Sequence, residues 1–227
     1  MAEAHPVGFR WVMKAKARGA KVIHIDPHYG RTSAVSDIYA PIRAGSDIAL
    51  LGGLIRHIIE TESYFKDYVV NYTNAATIVN DKFEDTEDLE GYFSGYDPET
   101  GQYDRSTWSY EGGEIASAAG QREHATQAFS EKTGAGMMTG NVKSDETLQD
   151  PRCVFQLLKR HYSRYTPEMV ERLCGIPREM FLEIAETLIS NSGYLNTGTS
   201  GTYGYGTAAA KCGDYLTLWV DCHSTQP

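Results

Sequence analysis

Residues 21–51 read KVIHIDPHYGRTSAVSDIYAPIRAGSDIALL. Lys21 to Ile25 is a short β-branched strand, and its apolar character on both sides predicts burial in a parallel sheet. Asp26-Pro27 then forces extended backbone at Asp26 and opens a loop. The polar segment that follows gives way to Gly45-Ser46-Asp47, with Ser46 as N-cap and Asp47 in the first turn of a helix. Ile48, Leu51, Leu54, Ile55, Ile58 and Ile59 supply the apolar face expected of that helix. Upstream, Phe9, Val12 and Met13 recur at helical spacing behind Pro6, and Gly19 is placed to end that helix. Helix followed by strand is half of a βαβ unit.

Further along, Tyr64 to Tyr72 extends the helical region before a turn at Thr73-Asn74. Residues 80–150 change to Gly, Asp, Glu, Ser, Thr and Tyr with little periodicity. They read as an irregular insertion, a Tyr/Trp-pinned excursion with hairpin-like turns, more mobile from Ala116 to Thr147. Residues 151–190 return to helices. Arg152 to Tyr162 is the first, Thr166-Pro167-Glu168 starts a second that closes at Gly175, and Pro177 opens a third through Phe181, Ile184, Ala185 and Leu188. Residues 191–227 form a Gly/Thr-rich tail, in which Gly204-Tyr205-Gly206 follows no strand and reads as a loop, not a phosphate cradle. Residues 1–79 hold the α/β segment proper.

The 227 residues are 41% hydrophobic, enough for one α/β core of ordinary size. A formal charge of −9 with no dense Lys/Arg cluster argues against nucleic acid as a partner. No run approaches the roughly 18 apolar residues of a spanning helix, so direct membrane insertion is not expected. Cys153, Cys174, Cys212 and Cys222 form no C-x-x-C pair and read as buried free thiols.

Asp26 ends a parallel strand, which is where open α/β sheets bind ligands, and there a carboxylate accepts from a ribose or a base. No G-x-G-x-x-G precedes Lys21, which disfavours an ordinary nicotinamide fold. Asp47 reads either as a charge favourable to the helix dipole, worth about 0.3–1 kcal/mol, or as an acceptor from N1–H and the 2-amino group of guanine. Taken alone, Asp47 reads first as a helix-dipole charge; two such carboxylates flanking one loop add weight to the second reading. Glu3, His5 and His28 show no metal-ligand pattern by chemistry alone.

Met1-Ala2-Glu3-Ala4-His5-Pro6, Val22-Ile23-His24-Ile25-Asp26-Pro27 and Ala40-Pro41-Ile42-Arg43-Ala44-Gly45-Ser46-Asp47 together resemble the dimethyl sulfoxide reductase family of molybdopterin oxidoreductases. The resemblance narrows to the catalytic (alpha or major) subunits of respiratory formate dehydrogenases of the membrane-linked, nitrate-inducible type. It does so through Tyr72-Thr73-Asn74-Ala75, Phe93-Ser94-Gly95-Tyr96-Asp97, Tyr103-Asp104-Arg105-Ser106-Thr107-Trp108, Asp145-Glu146-Thr147-Leu148, Pro151-Arg152-Cys153-Val154 and Ser163-Arg164-Tyr165-Thr166-Pro167. It covers most of residues 1–190.

What the resemblance implies is an α/β, Rossmann-like parallel-sheet cofactor domain with an irregular insertion and following helices, present here as an internal fragment. Asp26, Pro27 and His28 would approach the guanosine part of a bis(molybdopterin guanine dinucleotide) carrying Mo or W. Gly45, Ser46 and Asp47 would meet its guanine or ribose, and Met1, Ala2 and Glu3 would end a loop at the pyrophosphate and pterin. The family usually has Arg where this chain has His28. No stretch matches the family's selenocysteine or cysteine with its neighbouring His, or its [4Fe–4S] cysteine motif, so the fragment alone is expected to be inactive. The intact enzyme would oxidise formate to carbon dioxide on the periplasmic side, its electrons passing through an iron–sulfur beta subunit to a membrane cytochrome b subunit. Read from the third base of each codon, Leu216 through Val220 becomes compatible with a family Tyr-Ala-Met-Gly motif, implying a frameshifted end of the tail. The alternatives are another molybdopterin oxidoreductase of nitrate or polysulfide reductase type, and a non-catalytic nucleotide-binding α/β module.

Overall fold

The computed structural model describes residues 1–115, 138–140, 142–191 and 216–220. In chain order the first elements are α1 (Pro6–Lys16), β1 (Lys21–Ile25), α2 (Arg31–Ala34), β2 (Ile38–Ala40), α3 (Asp47–Glu60), α4 (Lys66–Tyr72), β3 (Tyr96–Asp97) and β4 (Gln102–Tyr103). After a 3-10 turn at Arg105–Trp108 come β5 (Gly113–Ile115), β6 (Met138–Gly140), α5 (Val154–Tyr162), α6 (Pro167–Cys174), α7 (Arg178–Asn191) and β7 (Leu216–Val220). These divide into two compact units, Met1–Tyr64 with Tyr162–Pro227, and Phe65–His161.

The first unit is α/β, built on a small parallel sheet of order β2-β1-β7. β1 lies in the middle, with Ile23 opposite Ile38 of β2 and Leu218 of β7. Because strand side chains alternate, Ile23 and Ile25 go to one face and Val22 and His24 to the other, and all four are buried. The first face belongs to the core, with Ala49, Leu50 and Leu54 of α3, Val170 and Cys174 of α6, and Phe181, Ile184 and Ala185 of α7. Burial on both faces is what the continuous apolar run of β1 predicts.

α1 starts with Pro6 in its first turn, and Gly19 follows it at φ +100°. α6 follows its sequence signals closely: Thr166 Oγ1 accepts from Met169 N–H at 3.2 Å, and Gly175 closes the helix at φ +75°. α3 departs in two respects. Ser46 occupies the N-cap position, but its hydroxyl donates to Arg43 O at 2.6 Å and caps nothing. The expected apolar face is also rotated: Ala49, Leu50, Gly52, Gly53 and Leu54 are buried, whereas Ile48, Leu51 and Ile55 are exposed. Glycines decide which side of an almost wholly apolar helix faces the core. A Cβ on Gly52 would stand 2.7 Å from the Tyr165 ring, and one on Gly53 2.5 Å from Val170 Cγ2. α2 and β2, within the stretch read as a polar segment, were not expected.

In the second unit, Tyr96–Asp97 and Gln102–Tyr103 pair as the antiparallel hairpin expected of the excursion, and β5 pairs with β6. Carboxylates organise its turns. Asp145 accepts from the N–H groups of Thr147, Gln149 and Asp150 and from the Thr147 hydroxyl, which holds its carboxyl far below the usual range. Residues 116–137 of the stretch read as mobile, and Gly204-Tyr205-Gly206 of the tail, lie outside the described residues. Cys153 and Cys174 are buried free thiols, and burial pushes both above their ordinary pKa. Among the described residues no helix is long and apolar enough to cross a membrane, and no group of three or more His, Cys, Asp or Glu could hold a metal ion.

Candidate functional site

β1 and β2 run parallel, so the loops that leave them, 26–30 and 41–46, emerge at the same C-terminal edge of the sheet. Asp26 is the first residue beyond β1. Its N–H donates to Ala40 O at 3.2 Å, continuing the ladder, and its carbonyl accepts from the Tyr39 hydroxyl at 3.0 Å. The carboxylate is nearly enclosed, the residue being 8% exposed. Oδ1 accepts from the His28 N–H at 2.6 Å, an Asx turn made possible by the extended backbone before Pro27. Oδ2 lies 3.7 Å from His24 Nε2. A buried carboxylate with these partners keeps lone pairs for an incoming hydroxyl or amine donor.

Tyr39 closes one side. Its ring stacks toward His24 at 6.0 Å and receives the edge of Tyr29 at 5.1 Å. Burial, then the charges of Asp26 and Tyr29, push the Tyr39 phenol above its ordinary value, so it remains a donor at neutral pH.

The N-terminal segment reaches the same region through α2. Ala2 N–H donates to Thr32 Oγ1 at 3.0 Å, and Glu3 Oε1 lies 3.2 Å from Arg31 Nε, both side chains well exposed. His5 N–H donates to Met1 O at 2.8 Å, and Met1 lines a shallow hollow with His5, Pro6 and Gly8. Thus Ala2 and Glu3 are tied to one short helix, Arg31–Ala34, which directly follows the loop that carries Asp26–His28. Gly45 stands at φ +80° with open space where a Cβ would be, and Asp47 is half-buried at the head of α3. Arg43, between these groups, is occupied elsewhere: its guanidinium donates to Arg172 O at 3.1 Å and Leu173 O at 2.8 Å, at the C-terminus of α6.

Sequence reasoning did not single out His24, Tyr39, Thr32 or Arg31. The alternation of β1 would have found His24, which is the polar residue among the four buried positions of the strand. Arg31, paired with Glu3 and well exposed, is a cation that follows the β1 loop, a role that the His28 position leaves open. The acceptors Asp26 and Asp47, a glycine that a flat ring or a sugar can approach, and Arg31 fit the donors and phosphates of a nucleotide.

No family model matches the chain. It is similar to the alpha subunit of the formate dehydrogenase of Megalodesulfovibrio gigas, 47% identical over 183 residues, covering 81% of this chain and 15% of that protein. It is also similar to the nitrate-inducible formate dehydrogenase major subunit of Escherichia coli K12, 46% identical over 192 residues, covering 84% of this chain and 16% of the relative. A sulfite dehydrogenase polypeptide of Allochromatium vinosum is 29% identical over 183 residues. The chain therefore spans about one-sixth of the length of the curated formate dehydrogenase subunits it matches.

Proposed function

We propose that this chain, a relative of the formate dehydrogenase alpha and major subunits, is the part of such a catalytic subunit that grips the guanosine end of a bis(molybdopterin guanine dinucleotide). Its parallel-sheet unit is read as Rossmann-like, with the ligand lying across the C-terminal edge of β1 and β2. The observation that carries the reading is the enclosed carboxylate of Asp26 at that edge. It accompanies 46–47% identity to formate dehydrogenase subunits, against 29% to a sulfite dehydrogenase.

In this reading each group has a task set by its chemistry. Asp26 accepts from ribose hydroxyls or from guanine N1–H and the 2-amino group. Asp47 does the same from the head of α3, with Gly45 leaving room for the ring beside Ser46. Pro27 and His28 fix the Asx turn that aims Asp26, and Arg31 faces phosphate. Met1, with Ala2 and Glu3 tied to α2, would border the pyrophosphate and pterin. When bound, the cofactor supplies two-electron chemistry at molybdenum or tungsten, and the protein's share here is binding, orientation and electrostatics. The intact enzyme would oxidise formate to carbon dioxide in the periplasm and pass electrons through iron–sulfur clusters to beta and cytochrome b subunits.

Guanosine 5′-monophosphate is the probe, titrated calorimetrically into the 227-residue chain beside adenosine 5′-monophosphate. Binding of the guanine nucleotide with weaker adenine binding is expected. Asp26→Asn and Asp47→Asn should each weaken it about 10-fold or more, the equivalent of ~1.4 kcal/mol for a hydrogen bond to a charged group. Equal affinity for both nucleotides, or no effect of either substitution, would overturn the reading.

A further inference from the structure

His24 is a polar residue in the middle strand of the sheet, 2% exposed, with neighbours that all belong to one chain of hydrogen-bonding groups. Gly30 N–H donates to Ser33 Oγ at 3.0 Å. Ser33 Oγ lies 2.9 Å from His24 Nδ1. On the other side of the ring, His24 Nε2 lies 3.7 Å from Asp26 Oδ2, while Asp26 Oδ1 is already held by the His28 N–H at 2.6 Å.

These bonds accommodate the Nε2–H tautomer. The Ser33 oxygen accepts from a backbone N–H and keeps its own proton, which Nδ1 is in reach to accept. A neutral imidazole that accepts at Nδ1 carries its proton at Nε2, the nitrogen turned toward Asp26. A strand position on a buried face would ordinarily hold an aliphatic residue, and enclosing an imidazole costs free energy unless its polar atoms are used. Here one atom is used by Ser33, and the other lies 3.7 Å from the Asp26 carboxylate, an electrostatic contact beyond hydrogen-bond distance.

We infer that His24 is a positioning residue for nucleotide binding: Ser33 holds its ring in the Nε2–H tautomer, and the electrostatic attraction between that N–H and Oδ2 adds to the His28 N–H bond on Oδ1 in favouring one orientation of the Asp26 carboxylate. The inference rests on Asp26 being the nucleotide acceptor. One hydrogen bond on Oδ1 and an electrostatic contact of 3.7 Å on Oδ2 disfavour rotation of the carboxylate about its χ2 bond, which is otherwise broad for Asp. The remaining lone pairs then favour one direction before the ligand arrives, so less ordering is left for binding to do. His24 itself touches no ligand in this scheme.

Two measurements on the 227-residue chain test this. The first needs no ligand. In ¹⁵N-histidine spectra, His24, assigned by its loss in His24→Gln, should show the Nε2–H tautomer; Ser33→Ala should mix the tautomers and Asp26→Asn should shift Nε2. A Nδ1–H tautomer, or indifference to both substitutions, would overturn the inference whatever binds. The second is guanosine 5′-monophosphate affinity beside the thermal midpoint. His24→Gln, which keeps an N–H near the Nε2 position, should stay within about 3-fold of wild type. His24→Leu should bind about 10-fold more weakly or worse while melting no lower than His24→Gln. Wild-type affinity in His24→Leu would overturn it. If the spectra show the coupling but the wild-type chain binds no guanine nucleotide, the nucleotide reading falls while the orientation of Asp26 by His24 stands.

Discussion

Asp37 does structural work at the N-terminal edge of the sheet, the end opposite the candidate site, and its charge can be separated from its shape. Oδ2 accepts from the Val22 N–H at 2.7 Å, and Oδ1 takes Lys16 Nζ at 2.7 Å, so one carboxylate ties β1 to α1 and to the start of β2. Partial burial works against the charge, but the Lys16 and Val22 bonds prevail and hold its pKa below the ordinary carboxylate value. A folded-state value below the unfolded one gives stabilisation that is complete above the unfolded pKa and is lost as pH falls through the folded one. Asp37→Asn should therefore lower stability by about 1 kcal/mol near pH 7, a modest figure because the pair is partly solvated. Urea melts at several pH values check the sign. The gap between wild type and variant should shrink as pH falls below the ordinary carboxylate pKa and through the lower folded-state one; a gap that widens on acidification would contradict the assignment.

At the scale of elements, the contrast between α6 and β2 shows what can be read from sequence here and what cannot. α6 carries its own instructions in Thr166, Pro167, Glu168 and Gly175, each acting within a turn, and the helix forms where they place it. β2 is three residues long and α2 four, too short for periodicity to register. They exist because β1 offers a parallel edge to Ile38–Ala40 and because Ser33 and Thr32 find partners in His24 and Ala2, none of them local in sequence. The same holds for the site: Asp26 and Asp47 were legible from their positions after a strand and before a helix, whereas His24 became meaningful only once Ser33 lay against it. α3 shows the other failure, since hydropathy alone cannot choose a face on a helix apolar nearly all round. Gly53 makes that choice testable. Gly53→Ala would press a methyl into Val170 and Phe181 and should destabilise by about 1–3 kcal/mol, despite the better helix propensity of alanine. Ala49→Gly, by contrast, opens no overlap and should cost about 1–2 kcal/mol, through propensity and the loss of a buried methyl. A thermal midpoint unchanged or raised in Gly53→Ala would mean that α3 does not pack against α6 through this glycine.

For the whole chain, the rotation of α3 has a consequence in solution. Ile48, Leu51 and Ile55 recur at i, i+3 and i+7, with Ile48 76% exposed, and on α1 Val7 and Trp11 are 72% and 68% exposed. Stripes of this kind mark surfaces that pack against something. The formate dehydrogenase subunits that the chain matches are about six times its length, so a surface of this composition accords with a piece of a larger body. Isolated, the 227-residue chain is expected to bury the stripe against itself. Sedimentation velocity between about 1 and 100 µM should show concentration-dependent association, because burying even a few hundred Å² of apolar surface at ~25 cal/mol per Å² yields several kcal/mol to set against the cost of association. The triple substitution Ile48→Glu, Leu51→Lys, Ile55→Gln should return the chain toward the monomer with little change in thermal midpoint, since none of the three side chains belongs to the core of Leu50, Leu54 and Phe181. A wild-type chain that sediments as a monomer across the whole range would show that the stripe is tolerated by solvent as it stands. A triple variant that unfolds would place the stripe inside the packed structure.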